Sequence, residues 1–311
     1  MVLHYSIKRY KEEDKPQWDN FVAGSKNGTF LFHRNFMEYH ADRFEDYSLL
    51  FYKNDKLISV LPANVVNTTV YSHQGLTYGG LILHNLNGEE VHQLFKTLVS
   101  FLRDQGMHNF VVKSIPPFYH KKPANELYFE LINQGGLLYH KDLNLAIDYS
   151  KPLSIHKNKL KHYRRQEDLG FTIAETENFS PFWDNVLIPR LATRHKVAPV
   201  HSLEEIQLLK SRFPDRIKQY EIRLNDEILA GITTFETGTV VKSQYGATTN
   251  SGEKYRALDY LFISLIRKYK ESGYHFFDMG TVTDGNFGLL KQKEELGCDI
   301  YTQDFYSIDL T

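Results

Sequence analysis

The sequence contains one pattern twice. Segment 51–63, FYKNDKLISVLPA, and segment 222–234, IRLNDEILAGITT, each read as strand, Asn-Asp turn, strand, which is a hairpin signature. Asn225-Asp226 in the second segment answers Asn54-Asp55 in the first. Further on, Tyr245-Gly246 answers Tyr78-Gly79, each pair closing a β-rich run. An amphipathic helix follows in both places, with Leu94, Leu98, Phe101 and Leu102 in the first and Leu258, Leu261, Phe262, Leu265 and Ile266 in the second. Both helices stop at a glycine, Gly106 and Gly273, separated by the same interval as the two Tyr-Gly pairs, and glycine suits the left-handed cap. Short strands, HNFVVKSI and HFFDMGTV, come next. Finally, Gly136–Asp148 and Gly297–Asp309 have equal length, both end in Ile-Asp, and keep nearly the same interval.

Four blocks in one order at nearly constant offset predict two copies of a single α/β unit. Each copy reads helix–helix–β–β–β–helix–β–helix–β. The early helices fall near 14–22 and 34–42 in the first copy, and near 155–168, 179–195 and 203–211 in the second. Pro152 breaks the pattern, so the expected units are residues 1–150 and 151–311. A length of 311 residues accommodates two such domains.

Composition removes several function classes. Lys and Arg number 37 against 38 Asp and Glu, so bulk charge does not point to nucleic-acid binding. A single cysteine, Cys298, excludes an internal disulfide and a Cys-rich zinc site. There is no H-E-x-x-H and no G-x-S-x-G, so neither a zincin nor a hydrolase-type nucleophile is expected, and no metal. No apolar run reaches the roughly 18 residues of a membrane span, and MVLHYSIKRYKEEDKPQW lacks the apolar core of a signal peptide. The resulting expectation is a cytoplasmic protein without a transmembrane segment, its oligomeric state unknown. The 20 Tyr and 21 Phe are read chiefly as β-sheet core.

The order of elements resembles the GNAT (acyl-CoA N-acyltransferase) fold. A tandem pair of such units is similar to the Fem-type, or FemAB-like, aminoacyltransferases, which extend peptides or acylate amines during cell-envelope construction. The strings SHQGLTYGGLIL (72–83), RHKVAPVHSLEEI (194–206), SQYGATT (243–249) and FFDMGTVTDGNFGLLKQKEELG (276–297) carry the resemblance over nearly the whole chain. Where Fem-type proteins have Phe-Lys before a Phe-Gly, this chain has Gln292-Lys293 and Leu296-Gly297. The resemblance implies two tandem GNAT-like units, each a mixed central sheet flanked by helices, with the site in the cleft between them. It implies acyl or aminoacyl transfer to an amine, with acyl-CoA or aminoacyl-tRNA as donor and a small molecule or envelope precursor as acceptor. An acetyl-CoA-dependent N-acetyltransferase and a non-catalytic precursor-binding scaffold are the competing readings.

Amine acylation needs a neutral amine, a stabilised oxyanion and a proton for the leaving group. Lys293 is the first candidate: its ammonium can hold an anion or steady the oxyanion, although Lys291, Glu294 and Glu295 on the same helix also fit a solvated face. Asp278, after two aromatics on a strand, can take a proton or orient the amine, or cap the helix beginning near Asp284–Asn286. Tyr255 is the third catalytic candidate. Acyl-CoA GNATs bind pyrophosphate on a glycine-rich loop and a helix N-terminus at this point. Here Gly252, Lys254 and Arg256, with Gln244 and Tyr245 just before, are the expected donor contacts. Arg190, Arg194, His195 and His201 are expected at an anionic acceptor, Pro199 keeping the two histidines off one helix face. His73, Gln74, Tyr78, Lys113 and Tyr119 are the first unit's acceptor candidates. The basic run HKNKLKHYRR (156–165) is read as a solvated face, with tRNA or other phosphates as the functional alternative.

Overall fold

The computed structural model describes residues 4–282 and 285–311. The chain forms two compact units. The first contains 1–142 together with 302–311, and the second contains 143–301. This differs from a division at 150/151, because the last strand of each copy is incorporated into the other unit.

In the first unit, β1 (Tyr5–Arg9), β3 (Leu49–Lys53), β4 (Lys56–Leu61) and β7 (Ile82–Leu83) form one sheet in the order β1-β3-β4-β7. β2 (Glu45–Asp46), β5 (Asn64–Val66), β6 (Thr69–Tyr71) and β8 (Asn109–Lys113) form a second array. Its last member is residues 305–309 of β15 (Asp299–Asp309), antiparallel to β8. In the second unit, β10 (Thr172–Thr176), β11 (Ile217–Leu224), β12 (Glu227–Thr237), β13 (Val240–Thr248) and β14 (Phe276–Val282) are neighbours in that order. Residues 143–148 of β9 (Leu137–Asp148) close this sheet against β14.

The repeat is visible in local geometry. Asn54 and Asp55 have φ of +46° and +64°, and Asn225 and Asp226 have +49° and +65°, so both hairpins turn through left-handed residue pairs that Asn and Asp tolerate. Gly106 and Gly273, at φ +72° and +80°, terminate the corresponding helices Gly88–Asp104 and Ala257–Glu271. The copies differ where Pro62 falls. The second copy's β12 is continuous, whereas the matching stretch of the first is divided into β4 and β5, since proline has no N–H for a ladder. Sequence periodicity missed β1 and β10, both five residues long with no fully buried position, so no buried/exposed alternation marks them.

Each unit has its own core. Leu49, Phe95, Leu98, Phe110 and Leu131 fill the first, together with Tyr306, Ile308 and Leu310 from the chain's C-terminal segment. Leu261, Leu265, Phe277 and Ile232 fill the second, together with Leu145 and Ile147 from β9. Tyrosines and phenylalanines contribute to both cores, among them Tyr47 and Phe51 in the first and Tyr220 and Tyr269 in the second.

Candidate active site

The second unit's central strands separate. β13 and β14 run parallel and pair at Val240–Phe276, Val241–Phe277 and Lys242–Asp278. β13 then follows β12 as far as Thr248, and β14 follows β9. Two irregularities accompany the divergence. Gln244 is an extra residue between the pairs Thr234–Ser243 and Thr233–Tyr245. Met279 and Gly280 interrupt the β14–β9 register between Asp278 and Thr281.

A buried charged cluster sits at the vertex. Asp278 is 1% exposed. Its Oδ2 lies 3.3 Å from Lys242 Nζ, and its Oδ1 accepts from Asn144 Nδ2 at 2.9 Å and from the Gly280 N–H at 2.7 Å. Accepting from a residue two positions ahead folds the strand over the carboxylate. Gly280 follows at φ +76°, a conformation in which a side chain is strained, and a Cβ there would also crowd Lys242 Nζ at 3.1 Å. The carbonyls of Gly280 and Thr281 both accept from Lys293 Nζ at 3.0 Å. Lys293 projects from the helix Phe287–Glu295 and is 5% exposed, so it does not belong to a solvated face. Burial, reinforced by the neighbouring Lys242 ammonium and opposed by Asp278, lowers its pKa to about 8. Cys298 is close by, but burial raises its thiol pKa, which leaves it a neutral packing group.

Beyond the vertex, where β13 is free of β14, lies a pocket of about 410 Å³. Gly246, Ala247 and Thr248 of β13 form one wall, Gly252, Glu253 and Arg256 another, and Arg190 and Gln292 close it. Arg256 has φ +49° and stands at the N-terminus of the Ala257–Glu271 helix. Gly252 is required by packing, since a Cβ would lie 2.2 Å from the Leu229 carbonyl oxygen. Its N–H donates to Thr249 Oγ1 at 2.9 Å, and the Glu253 N–H to the Thr249 carbonyl at 3.0 Å.

The expected residues divide accordingly. Lys293 and Asp278 meet at the vertex; Gly252, Arg256 and Arg190 share the pocket. Lys254 is exposed in the short helix Asn250–Lys254. Tyr255 is 37% exposed, its ring edge-on to Phe171. Arg190 and Arg194 both donate to the Glu253 carboxylate, Arg194 Nη2 at 2.9 Å. Those arginines hold Glu253 below the usual carboxylate range. His201 and Tyr245 bind one another, with Nδ1 2.6 Å from the phenol oxygen, and pack beside Trp183. Both are outside the pocket wall. Gln244 Oε1 is buried without a hydrogen-bond partner among the described residues. The side chain of His195 lies outside the described residues, as does Asp284. In the basic run, Lys159 is buried against Asp259 at 2.8 Å, and most of its neighbours are exposed.

In the first unit, His73, Gln74 and Lys113 share a separate pocket of about 230 Å³. Tyr78 and Tyr119 instead pack against one another in the interior, with rings tilted by 47° and 4.8 Å between centroids. Sequence reasoning overlooked Lys242, Asn144 and Glu253. A lysine directly after Val240-Val241 in the strand TVVKSQ was the available signal, and it becomes informative beside the first copy, which has Tyr71 in its place.

The family described as acetyltransferase (GNAT) domain matches residues 153–288. No curated protein sequence gives a significant match. Among solved structures, FemX is similar with a TM-score of 0.72 and 11% identity, over 98% of this chain and 97% of that one. L-PGS from Bacillus licheniformis gives 0.63 and 12%, over 96% and 92%. A tandem GNAT protein from the clavulanic acid biosynthesis pathway gives 0.53 and 11%, over 100% and 99%. Diverging parallel strands, a repeated unit and the domain match over 153–288 lead to one conclusion: the chain has the GNAT fold, and its residues 153–288 match the acetyltransferase (GNAT) domain family.

Proposed function

We propose that the protein transfers an acyl or aminoacyl group from an activated donor to an amine of a cell-envelope or surface-glycan precursor. The observation that carries this reading is the pocket along β13 past its divergence from β14, lined in part by Leu289 and Gln292 of the helix that also carries the buried, hydrogen-bonded Lys293. In this reaction the amine nitrogen bonds to the acyl carbon, the ester or thioester bond breaks, and the amine proton passes to the leaving oxygen or sulfur. Lys293, Asp278 and Tyr255 are the proposed catalytic set, with Lys293 supplying positive charge as the oxyanion forms. Among the described residues no helix is long and apolar enough to cross a membrane. The proposed setting is the cytoplasm.

Glu253 favours aminoacyl-tRNA over acyl-CoA as donor. A carboxylate stands in the pocket wall where a pyrophosphate would lie, and the Gly252 and Glu253 amides are already satisfied within their own turn. Arg256 and the helix N-terminus beside it support acyl-CoA as the second reading. Purified protein incubated with an amine acceptor and either acetyl-CoA or charged tRNA separates the two. Turnover with acetyl-CoA alone would reject the Fem-type donor, and turnover with neither would reject the function.

Glu253→Gln removes the carboxylate and releases Arg190 and Arg194. The variant is expected to bind acetyl-CoA about tenfold more tightly at low salt, the gain shrinking as salt rises. Calorimetric titration of both proteins checks this, and equal affinities would remove Glu253 from donor selection.

A further inference from the structure

The helix Glu126–Asn133 of the first unit carries its amphipathic pattern inside out. On an ordinary surface helix the apolar stripe faces the core and the charges face water. Here Leu127 and Leu131 reach the first core, and the charged and phenolic groups of the helix turn the same way. Glu126 pairs with Lys26, itself 9% exposed. Glu130 is 3% exposed, and its Oε2 lies 2.9 Å from Nδ1 of His92 on the helix Gly88–Asp104. Tyr128 donates its hydroxyl to the Ile115 carbonyl at 2.8 Å. The outward side is left to Phe129 and Ile132, 63% and 52% exposed, which are neighbours on one helix face.

Strand β9 adds to this side of the unit. Tyr139 meets the Phe305 ring edge-on, 6.3 Å between centroids, so the two share one face of the sheet in which β9 and β15 are neighbours. Alternation along the strands then gives Leu138 the opposite face, that of Tyr306 and Ile308. The helix packs on that face, with the Tyr128 ring 6.2 Å from the Tyr306 ring. Leu138 is 41% exposed. At the helix ends stand Asn125 and Asn133, both exposed and both uncharged.

A membrane, another protein or a second copy of the chain can each cover an apolar face, and the chemistry separates them. Helices that lie on anionic membranes are rich in Lys and Arg. This helix contains neither, and its only charged residues are acidic. A second copy meets no such obstacle, because Phe129 and Ile132 bring no charge to be opposed by its own image. The face is also self-complementary. A two-fold axis passing midway between Phe129 and Ile132 sets Phe129 of one copy against Ile132 of the other, and the reverse. We propose that this face is the interface of a homodimer, in which two copies of the helix Glu126–Asn133 pack antiparallel about that axis. Three exposed apolar side chains per copy make a contact at the small end of specific interfaces, below roughly 1,200 Å². The dimer is therefore reversible, with Kd on the order of 10 µM.

Sedimentation equilibrium of the full chain between about 1 and 100 µM tests the interface. The chain is expected to pass reversibly from monomer to dimer across that range. Phe129→Lys and Ile132→Glu, both at exposed positions, are each expected to leave it monomeric at about 100 µM with an unaltered melt. The two variants mixed are expected to associate at least about tenfold more tightly than either alone, because the axis places the introduced lysine opposite the introduced glutamate. An unsubstituted chain that stays monomeric at the highest concentration overturns the inference. So does a dimer that survives both substitutions, or a mixture no tighter than its components. Monomers that sediment with vesicles of phosphatidylglycerol and phosphatidylethanolamine, and cease to do so in Ile132→Glu, assign the face to a membrane and overturn it equally.

Discussion

Lys293→Met is expected to reduce kcat by about 10² to 10³, the scale seen when one preorganised donor at a developing oxyanion is removed. The replacement has similar length and no charge. It relieves repulsion with Lys242 but leaves the Gly280 and Thr281 carbonyls without their donor, so stability should shift by only about one or two kcal/mol. A pH profile gives a sharper test. The groups acting on Lys293 are Lys242 of β13, Asp278 of β14 and Cys298, with burial dominant, and together they place its titration near pH 8 instead of the ordinary 10.5. If the ammonium is the working form, kcat falls as pH rises through about 8. If the neutral amine worked as a base, kcat would rise across that range and the assigned role would be wrong. Stability follows the opposite course. Between about 8 and 10.5 the unfolded chain binds this proton more tightly than the folded one, so folding gains as pH rises through that window. The gain attributable to this group is about 3 kcal/mol, and it should vanish in Lys293→Met. Melting curves of the two proteins at pH 7.5 and 10 measure the difference.

How much of this was legible in sequence depends on the range of the interaction. The hairpins at Asn54-Asp55 and Asn225-Asp226 and the helix stops at Gly106 and Gly273 were legible because each is decided by a few adjacent residues with φ above zero. The two-copy architecture followed from their order. The exchange of last strands was not legible. Segments 136–148 and 297–309 have the same length and ending, so either could pair with β8 or β14 as far as local pattern is concerned. The vertex was half legible. Lys293 stood out by resemblance, yet Lys291, Lys293, Glu294 and Glu295 share one helix, and their spacing cannot reveal which lysine turns inward. Lys242 and Asp278 lie 36 residues apart on strands whose parallel pairing is a tertiary fact. Tyr78 and His73 show the converse: both belong to one polar-aromatic string, but only the backbone turn at residue 73 sends the tyrosine to the core and the histidine to a pocket.

Deleting residues 302–311 is expected to unfold the first unit and leave the second intact. The segment contributes the strand opposite β8, with five pairs from Phe305–Lys113 to Asp309–Asn109. Gln303, itself buried, donates to the carbonyls of Thr77 and Ser114. Tyr306, Ile308 and Leu310 pack among the first core. Three large apolar side chains at roughly 1.5–3 kcal/mol each give about 5–9 kcal/mol, comparable to the whole stability of an ordinary domain, roughly 5–15 kcal/mol. The second unit draws its closing strand from β9, with Leu145 and Ile147 in its core, and loses none of these contacts. Limited proteolysis of the shortened chain should therefore degrade residues 1–142 and leave a fragment close to 143–301. A contiguous division at 150/151 makes the reverse forecast, because there the deleted strand belongs to the second copy. Survival of the first unit with loss of the second would show that the strands are not exchanged. The same digestion of the unshortened chain supplies the reference, since both cores are then complete and neither unit should be cut first within its sheet.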